Sequence, residues 1–263
     1  MKKIVAICLS VLMLLSAFAT LTSCEEKRTL FEGNVYELSE DGESYSFASL
    51  DKSYTGTEFV VPATVNDKPV TAIGEGAFAY NFPNLTSIKL PDTITVIEIN
   101  AFRDCTSLTT VNMPGTLTTI GEQAFFGCKS LVSITLPDSI TSIGRQAFGD
   151  CASLTSVTLP KGITTIPENA FYDCKKLNSV IIPDSVTSIE SSAFSGCSSL
   201  KTIDIPGSVT SFASNVFDHA FTSFERINYG GTKAQWMESN GASESTTWNQ
   251  EIHCSDGTIK AVD

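Results

Sequence analysis

The sequence feature that most constrains this chain is an Ala-Phe dipeptide, or a close variant, that recurs at a fixed interval. The phenylalanines are separated by 24 residues once and then by 23 residues five times. An interval of this length, sustained over more than half of the chain, indicates a solenoid of stacked supersecondary units. It excludes one ordinary globular core and directs the search for function to an extended surface. The periodic phenylalanines are Phe78, Phe102, Phe125, Phe148, Phe171, Phe194 and Phe217.

Each repeat combines two hydrophobic periods. In the repeat over 151–171, the apolar spacing of three along 148–154 predicts a short helical turn of the 3₁₀ kind. The spacing of two along 157–159 predicts a strand, which Pro160 ends because proline cannot donate to a ladder. A second extended piece is predicted at 163–166. Such a unit leaves both of its stacking faces apolar, so several repeats must stack and both ends must be capped.

The amino end of the repeat array departs from the pattern. We predict the solenoid over 58–230 and an N-terminal β cap over 33–57. Within the cap, alternating apolar residues flank Asp41-Gly42, and Asp-Gly is a preferred turn pair of β-hairpins. The hairpin is expected to cover the first exposed edge of the stack.

The carboxyl end is also altered, and we predict a C-terminal cap over 231–263. The sequence of 232–235 has the pattern of a capping box, which predicts a short helix, and a strand pair is expected around Asp256-Gly257. The two tryptophans of the chain, Trp236 and Trp248, lie in this segment. We expect them to seal the open core; a C-terminal binding site built on them is the alternative.

The repeat C-x-x-L-T-S-V-x-L-P-x-S-I-T-S-I-G-x-x-A-F is readable at 105–125, 128–148, 151–171 and 174–194. It resembles the treponemal-type leucine-rich repeat of BspA-like bacterial surface proteins. The resemblance implies a right-handed leucine-rich-repeat solenoid that is β-rich, with short strands and short helical turns. It also implies display at the cell surface, adhesion to host, matrix or bacterial proteins, and a concave, ligand-binding face formed by the first strand of each repeat.

The residues that flank the inward position of each first strand form two outward columns, which are the candidate binding face. This face is rich in Ser and Thr and has few of the aromatic and Arg residues that usually anchor interfaces. Ile181 is its one apolar member, and a solvated face with β-favouring Thr is the alternative for any single residue. The first column is Ser87, Thr110, Ser133, Ser156, Ser179, Thr202 and Arg226, and the second is Lys89, Asn112, Thr135, Thr158, Ile181, Asp204 and Asn228.

The amino terminus has the pattern of an export signal. Lys2-Lys3 precedes a long apolar run, and the sequence of 21–24 resembles the lipobox of bacterial lipoproteins. The resemblance implies a lipoprotein signal peptide over 1–23 and a diacylglycerol group on Cys24, whose two acyl chains give firm attachment. A lipidated tether over 24–32 would follow. An ordinary signal peptide with an incidental cysteine is the alternative; either way we expect export, and with the lipid a surface-exposed position at the bacterial envelope.

The acidic composition limits the partners. Removal of 1–23 takes away two lysines, so 17 Lys and Arg become 15 against 29 Asp and Glu, and the net charge goes from −12 to −14. Such a chain is a poor binder of nucleic acid and of anionic lipid. We therefore predict membrane contact through the lipid anchor only. The predicted ligand is a protein, and a surface glycan or a nutrient is the alternative ligand.

No sequence motif points to catalysis, and we predict no enzyme and no cofactor. The chain has no P-loop, G-x-S-x-G, H-E-x-x-H or paired C-x-x-C pattern. A hydrolase, the third class, would need an acid/base group at the irregular ends, where His219 and His253 lie. No metal site is predicted; a ligand pair at His253-Cys254 is the weaker alternative. Calcium is a second alternative at residues otherwise explained as turn formers: Asp92, Asp138 and Asp184.

Five cysteines occur once per repeat at the same inward position. Translated copies point their Cβ atoms in parallel, which is poor geometry for a disulfide. We therefore predict that they are small buried hydrophobic residues. They are Cys105, Cys128, Cys151, Cys174 and Cys197.

Overall fold

The computed structural model describes residues 27–80, 82–220, 225–239 and 251–260. Over these ranges the chain is a β-solenoid of about eight turns with little helix. The predicted signal peptide at 1–23, its lipid site Cys24 and Trp248 lie outside the described residues. Within the described part of the chain, no helix has the length and apolarity needed to cross a bilayer.

The described part of the chain begins with three antiparallel strands, β1 (Arg28–Phe31), β2 (Asn34–Leu38) and β3 (Tyr45–Ser49). The hairpin predicted around Asp41-Gly42 is confirmed, because it joins β2 to β3. In the solenoid that follows, equivalent strands of successive repeats pair in parallel.

Residues 28–31 differ from the expectation of a tether over 24–32, because they form β1 instead. The outer edge of β2 needs a partner, and β1 supplies it along its whole length. The Phe31 ring packs edge-on against the buried Tyr36 ring at a centroid distance of 6.2 Å. A tether in this part of the chain therefore reaches no further than residue 27.

Each repeat contributes two short strands, one to each of two sides of the solenoid. The first strands form the sheets β4-β7-β9 and β11-β13-β15-β17-β19, and the second strands form β6-β8-β10-β12, continuous with β3, and β14-β16-β18. The first repeat has one extra strand, β5 (Thr64–Val65), which pairs only with β6 and is antiparallel to it. In chain order the other strands are β4 (Glu58–Val60), β6 (Lys68–Ile73), β7 (Ser87–Lys89), β8 (Val96–Ile97), β9 (Thr110–Val111), β10 (Thr119–Ile120), β11 (Ser133–Thr135), β12 (Ser142–Ile143), β13 (Ser156–Thr158), β14 (Thr165–Ile166), β15 (Ser179–Ile181), β16 (Ser188–Ile189), β17 (Thr202–Ile205), β18 (Ser211–Phe212) and β19 (Arg226–Tyr229).

A continuous stack of phenylalanine rings runs through the core, as the period predicts. Between Phe78 and Phe217, neighbouring periodic rings are stacked with centroid distances from 4.9 to 5.7 Å and interplanar angles from 5 to 15°. All seven are buried. The stack continues into the N-terminal cap, where Phe47 of β3 stacks on Phe78 at 4.8 Å. The cap therefore extends the hydrophobic spine as well as covering an edge.

The segment around each Ala-Phe is a series of tight turns, so the short helical turns predicted there are single turns closed by bonds between residues three apart, and they do not continue into a helix. In the repeat of Phe125, the residues two before and two after it, Gln123 and Gly127, have φ of 55° and 72°. These left-handed residues stop a right-handed helix from continuing. The spacing of three was meaningful, because the Cys128 N–H donates to the Phe125 carbonyl at 3.2 Å.

The left-handed residues free backbone groups for bonds between repeats. The N–H groups of Gln123, Phe125 and Gly127 donate to carbonyls of the next repeat at 2.9, 2.8 and 2.8 Å. Equivalent bonds recur at the other periodic phenylalanines, from the Phe78 N–H through to the Phe194 N–H. We call this side of the solenoid the turn side; it is a hydrogen-bonded ladder although it contains no strand.

Two interruptions divide the sheets. The first-strand sheets separate between β9 and β11. The second-strand sheets separate between β12 and β14. There Pro167 has no N–H, whereas the equivalent N–H of Gly144 donates to the preceding repeat at 2.8 Å.

The C-terminal cap contains helix α1 (Lys233–Glu238) and the strands β20 (Glu251–Cys254) and β21 (Gly257–Ile259). The capping box is confirmed, since Thr232 and Gln235 exchange hydrogen bonds of 2.8 and 3.2 Å. The strand pair is also confirmed: β21 is antiparallel to β20, and β20 is parallel to β19.

Trp236 seals the carboxyl end of the core. Its side chain is fully buried, and its ring lies 5.1 Å from Phe212 and 5.2 Å from Tyr229. A binding site built on this tryptophan is therefore inconsistent with the structure, and the sealing role is confirmed for it.

Candidate binding face

The two predicted columns lie on one side of the solenoid, in register, and we call them the strand face. Ser133, Ser156 and Ser179 are consecutive Cα partners, and their neighbours two residues on are paired in the same way. The inward residues between the columns, such as Val157, are buried, while the outward residues of β11, β13 and β15 are exposed. Parallel strands place such neighbours about 4.8 Å apart.

The interruption between β9 and β11 divides the strand face into two parts. One part carries Ser87, Lys89, Thr110 and Asn112, and the other ten predicted residues share the larger sheet. All of the predicted residues except Asn112 lie in strands. The structure thus brings together Ser133 to Asn228 as one continuous array.

The amide of Asn112 has a structural task. Its Oδ1 accepts from the Leu90 N–H at 2.7 Å, and its Nδ2 donates to the Leu90 carbonyl at 2.9 Å. The side chain therefore imitates a strand partner just past the end of β9. Its hydrogen-bonding groups are engaged within the protein rather than presented to a ligand.

Hydroxyls one position before the strand face also hold repeats together. Thr109 and Thr155 donate to the carbonyls of Thr86 and Val132 at 2.9 and 3.2 Å. Ser133, Ser156 and Ser179 instead point outward and are exposed. The repeat therefore separates hydroxyls that bind the neighbouring repeat from hydroxyls that face solvent.

The strand face is longer than its sequence prediction. At the amino end, Glu58 and Val60 of β4 pair with Ser87 and Lys89. At the carboxyl end, β20 adds Glu251 and His253, which pair with Arg226 and Asn228. The sequence could have predicted this last strand, because Ile252 and Cys254 alternate with polar residues as inward residues of a strand do.

Charges and polar groups are concentrated at the carboxyl end of the face. The Asn228 Nδ2 donates to Asp204 Oδ1 at 2.6 Å, and His253 Nε2 lies 3.1 Å from Glu251 Oε2. The other histidine, His219, lies in a left-handed turn beside Asp218. Each histidine is therefore paired with a carboxylate that is close to it in sequence.

Asp138, one of the residues weighed for calcium, is paired with a lysine. Its Oδ2 lies 3.1 Å from Lys161 Nζ, and its Oδ1 accepts from the Lys161 N–H at 3.2 Å. These bonds from the Lys161 backbone and ammonium lower the pKa of Asp138. Across the described ranges, no three His, Cys, Asp or Glu side chains are grouped closely enough to hold a metal ion.

The five periodic cysteines are buried and free, as predicted. Each thiol donates to the carbonyl of the periodic phenylalanine that lies 26 or 27 residues before it; for Cys151 the acceptor is Phe125, at 3.2 Å. Burial raises the pKa of every one of them, and raises that of Cys105 and Cys197 to about 12. They are neutral spine residues rather than reactive thiols.

In-register parallel strands, a Phe and Cys spine and two caps define a leucine-rich-repeat solenoid with a display surface. The family model for the "BspA type Leucine rich repeat region (6 copies)" matches residues 71–163 and 118–239. The chain belongs to this BspA-type leucine-rich-repeat family. A search of curated proteins finds no match to it.

Two solved structures are similar to this chain. A leucine rich cell surface protein of Faecalibacterium prausnitzii A2-165 shares 34% identity over 77% of this chain, with a TM-score of 0.70. The match covers 54% of that protein, so this chain corresponds to about half of its length. A leucine-rich repeat protein of T. pallidum shares 28% identity, with a TM-score of 0.63, over 78% of this chain and 86% of that one.

Proposed function

We propose that this protein is anchored by lipid at the bacterial cell surface and binds a protein partner through the strand face. Family membership supports a surface protein with a general protein-binding role, and the exported, lipid-bearing form follows from the lipobox-like sequence ending at Cys24. The observation that carries the choice of face is the in-register array from β11 to β19, which presents outward side chains on one regular surface.

Adhesion to matrix, host or bacterial proteins is the specific form of the proposal. Family and fold are those of binding modules that are in general non-enzymatic, and we propose no catalytic step for this chain. The low number of charged side chains in the centre of the face, in a chain of net charge −12, favours a partner that is not recognised by charge alone.

The choice of the strand face is tested by making the same Ser-to-Arg change on two different sides of the solenoid. Ser156→Arg puts a large side chain in the middle of the strand face, and Ser142→Arg puts the same side chain on the exposed second strand of another repeat. Binding partners are first found by screening the mature protein on arrays of matrix proteins, bacterial surface proteins and glycans. We expect Ser156→Arg to weaken a protein partner at least tenfold and Ser142→Arg to leave it unchanged.

Equal effects of the two variants would show that the partner uses another surface. Selective binding to glycans, with no protein partner, would favour the alternative of a glycan- or nutrient-binding module.

The anchor is tested separately by metabolic labelling with a fatty acid. Cys24→Ser removes the thiol that would be acylated, so labelling should be lost. Cys8→Ser, within the predicted signal, is the matched control and should keep it. Labelling that survives Cys24→Ser would leave an ordinary export signal as the better explanation.

A further inference from the structure

The outer edge of β1 carries backbone groups that no strand of the described residues covers. Within these ranges β1 pairs with β2 alone and ends its sheet. The Leu38 N–H donates to the Lys27 carbonyl at 2.7 Å, and hydrogen-bonded pairs alternate along an antiparallel ladder. The N–H and C=O groups of Arg28 and Leu30 therefore point away from β2. An uncovered edge of this kind is a template for pairing with another strand.

The two faces of β1 have different surroundings. Thr29 and Phe31 face the N-terminal cap, and the Thr29 Oγ1 lies 3.4 Å from the Tyr45 hydroxyl. Leu30 faces solvent and is 75% exposed, the highest fraction of any large apolar residue in the described ranges. Its cross-strand neighbour on β2 is Val35, which is half-buried. An apolar pair is thus open at the rim of the sheet.

The charges on either side of Leu30 have opposite signs. Arg28 lies two residues before it, and Glu32, in the turn after β1, lies two residues after it; all three are exposed. Arg28 is the cross-strand neighbour of Glu37, yet in the described part of the chain neither Arg28 nor Glu32 forms an ion pair.

This order of side chains is complementary to itself. A two-fold axis at Leu30 would bring the Arg28 side chain of each copy to the Glu32 side chain of the other, and Leu30 to Leu30. A charge that protects an edge from self-pairing would lie at the axis, where it meets its own copy. The residue at that position is a leucine, so the edge favours a second copy of itself.

We propose that two copies of this chain pair through the edges of β1, antiparallel and with Leu30 opposite Leu30. The Leu30 N–H and C=O of each copy exchange hydrogen bonds, and Leu30 and Val35 of both copies form one apolar row across the joined sheet. The Arg28–Glu32 pairs fix the register, because a shift of two residues would lay Leu30 against a charged residue. This goes beyond protein binding through the strand face, because β1 belongs to a different sheet.

Sedimentation velocity of the mature chain carrying Cys24→Ser tests the proposal, and the absence of the lipid separates it from the proposed anchor. A strand pair this short buries less than the about 1,200 Å² of stable complexes, so a weak, concentration-dependent dimer is expected. Leu30→Asp places two carboxylates at the axis and should weaken the dimer at least about tenfold. Met237→Asp is the matched control, because Met237 is 61% exposed on α1 of the C-terminal cap, and it should leave the dimer unchanged.

Charge reversal tests the register. Arg28→Glu and Glu32→Arg each bring like charges together twice in a homodimer, so each should weaken it at least about tenfold. An equal mixture of the two variants restores both opposite-charge pairs, and a heterodimer should form with close to the original affinity. This rescue also shows that both variants are folded.

Hydrogen exchange tests the backbone pairing. The Leu30 amide should become protected as the protein concentration rises, whereas the Thr29 and Phe31 amides are bonded to β2 at every concentration. No dimer up to about 1 mM protein, a dimer that Leu30→Asp or either charge reversal leaves intact, or a mixture that stays monomeric would overturn the proposal. Ser156→Arg should not change the dimer, so failure of the strand-face proposal is recognised independently.

Discussion

The turn side and the strand face are built by the same repeat, yet only the turn side is continuous. From Phe78 to Phe194, each periodic phenylalanine N–H bonds to the next repeat, and the rings are stacked from Phe47 to Phe217. The first-strand sheets, in contrast, are interrupted between β9 and β11, and the second-strand sheets between β12 and β14. The comparison indicates that the turn side holds the stack together and that the strands tolerate variation.

This division explains why the exposed positions are free to specialise. Pro167 lacks a backbone donor to the preceding repeat, yet the phenylalanine rings of that region remain stacked. Residues on the strand face, such as Asp204 and Asn228, therefore depart from the repeat pattern at little cost to the fold. The turn side has no such freedom, because its rings, thiols and left-handed residues repeat together.

The largest loss of stability is expected when one ring is removed from the phenylalanine stack. Phe148 is fully buried and stacks on Phe125 and Phe171 at 5.5 and 5.6 Å. Phe148→Ala should lower the free energy of unfolding by about 3–5 kcal/mol, because it removes buried apolar surface and leaves a cavity. Urea denaturation followed by circular dichroism measures it.

Ser156→Ala is the control on the strand face, and its effect should stay within about 0.5 kcal/mol because the side chain is exposed. Similar losses in the two variants would contradict the assignment of cohesion to the turn side.

The next effect concerns the left-handed turns. Gly196 has φ of 74°, and a Cβ there would lie 2.2 Å from the Asp173 Oδ1. Gly196→Ala should destabilise the protein by about 1–3 kcal/mol, from the left-handed strain and the displaced carboxylate. The change in melting temperature and the urea midpoint provide the measurement.

Gly115→Ala is the matched glycine change, because a Cβ at Gly115 meets nothing within 4 Å. We expect it to be neutral or slightly stabilising. If Gly196→Ala proved equally harmless, the left-handed turn would not be a rigid part of the ladder.

The sequence was sufficient for the features that repeat by apolar spacing. Phe148, Cys151 and Val157 each recur at 23 residues with a fixed inward direction, so the spine, the strands and the two columns were predictable. The capping box at Thr232 and Gln235 is a local pattern and was predictable for the same reason.

The left-handed turns were only partly predictable. Asn100, Gly127 and Asp150 are residue types that favour positive φ, and they recur two residues before or after the phenylalanines. Gln146 and Ser192 occupy the same positions without that preference. Bonds between repeats impose the conformation there, and such bonds are not visible in one repeat.

The side-chain hydrogen bonds between repeats also could not be predicted from the sequence. Asn112 and Asn228 occupy equivalent outward positions, but one bonds to the Leu90 backbone and the other to Asp204. The difference depends on whether the neighbouring strand continues. Which outward residues are available to a ligand therefore required the structure.

A smaller effect is expected at the cysteine ladder inside the turn side. The Phe125 carbonyl accepts from both the Cys128 N–H and the Cys151 thiol, each at 3.2 Å. Cys151→Ala removes a weak donor and leaves that carbonyl paired, so the expected loss is about 1 kcal/mol. Urea denaturation measures it against Cys254→Ala, a half-buried cysteine outside the ladder. A loss above that for Phe148→Ala would mean that thiols, rather than rings, dominate the spine.

The smallest expected change in stability tests the strands most directly. Pro167→Ala restores an N–H that can donate to the Ile143 carbonyl, and the equivalent Ala213 makes this bond at 2.9 Å. The gain of about 0.5–1.5 kcal/mol from the bond is offset by about 0.4–1 kcal/mol from the lost rigidity of proline in the unfolded chain. Hydrogen exchange is therefore the better measurement: the new amide at 167 should be protected to the same degree as the amide of Gly144. Rapid exchange at 167 would mean that the separation of β12 from β14 is set by more than the missing donor, and that the strands are less independent of the turn side than their interruptions indicate.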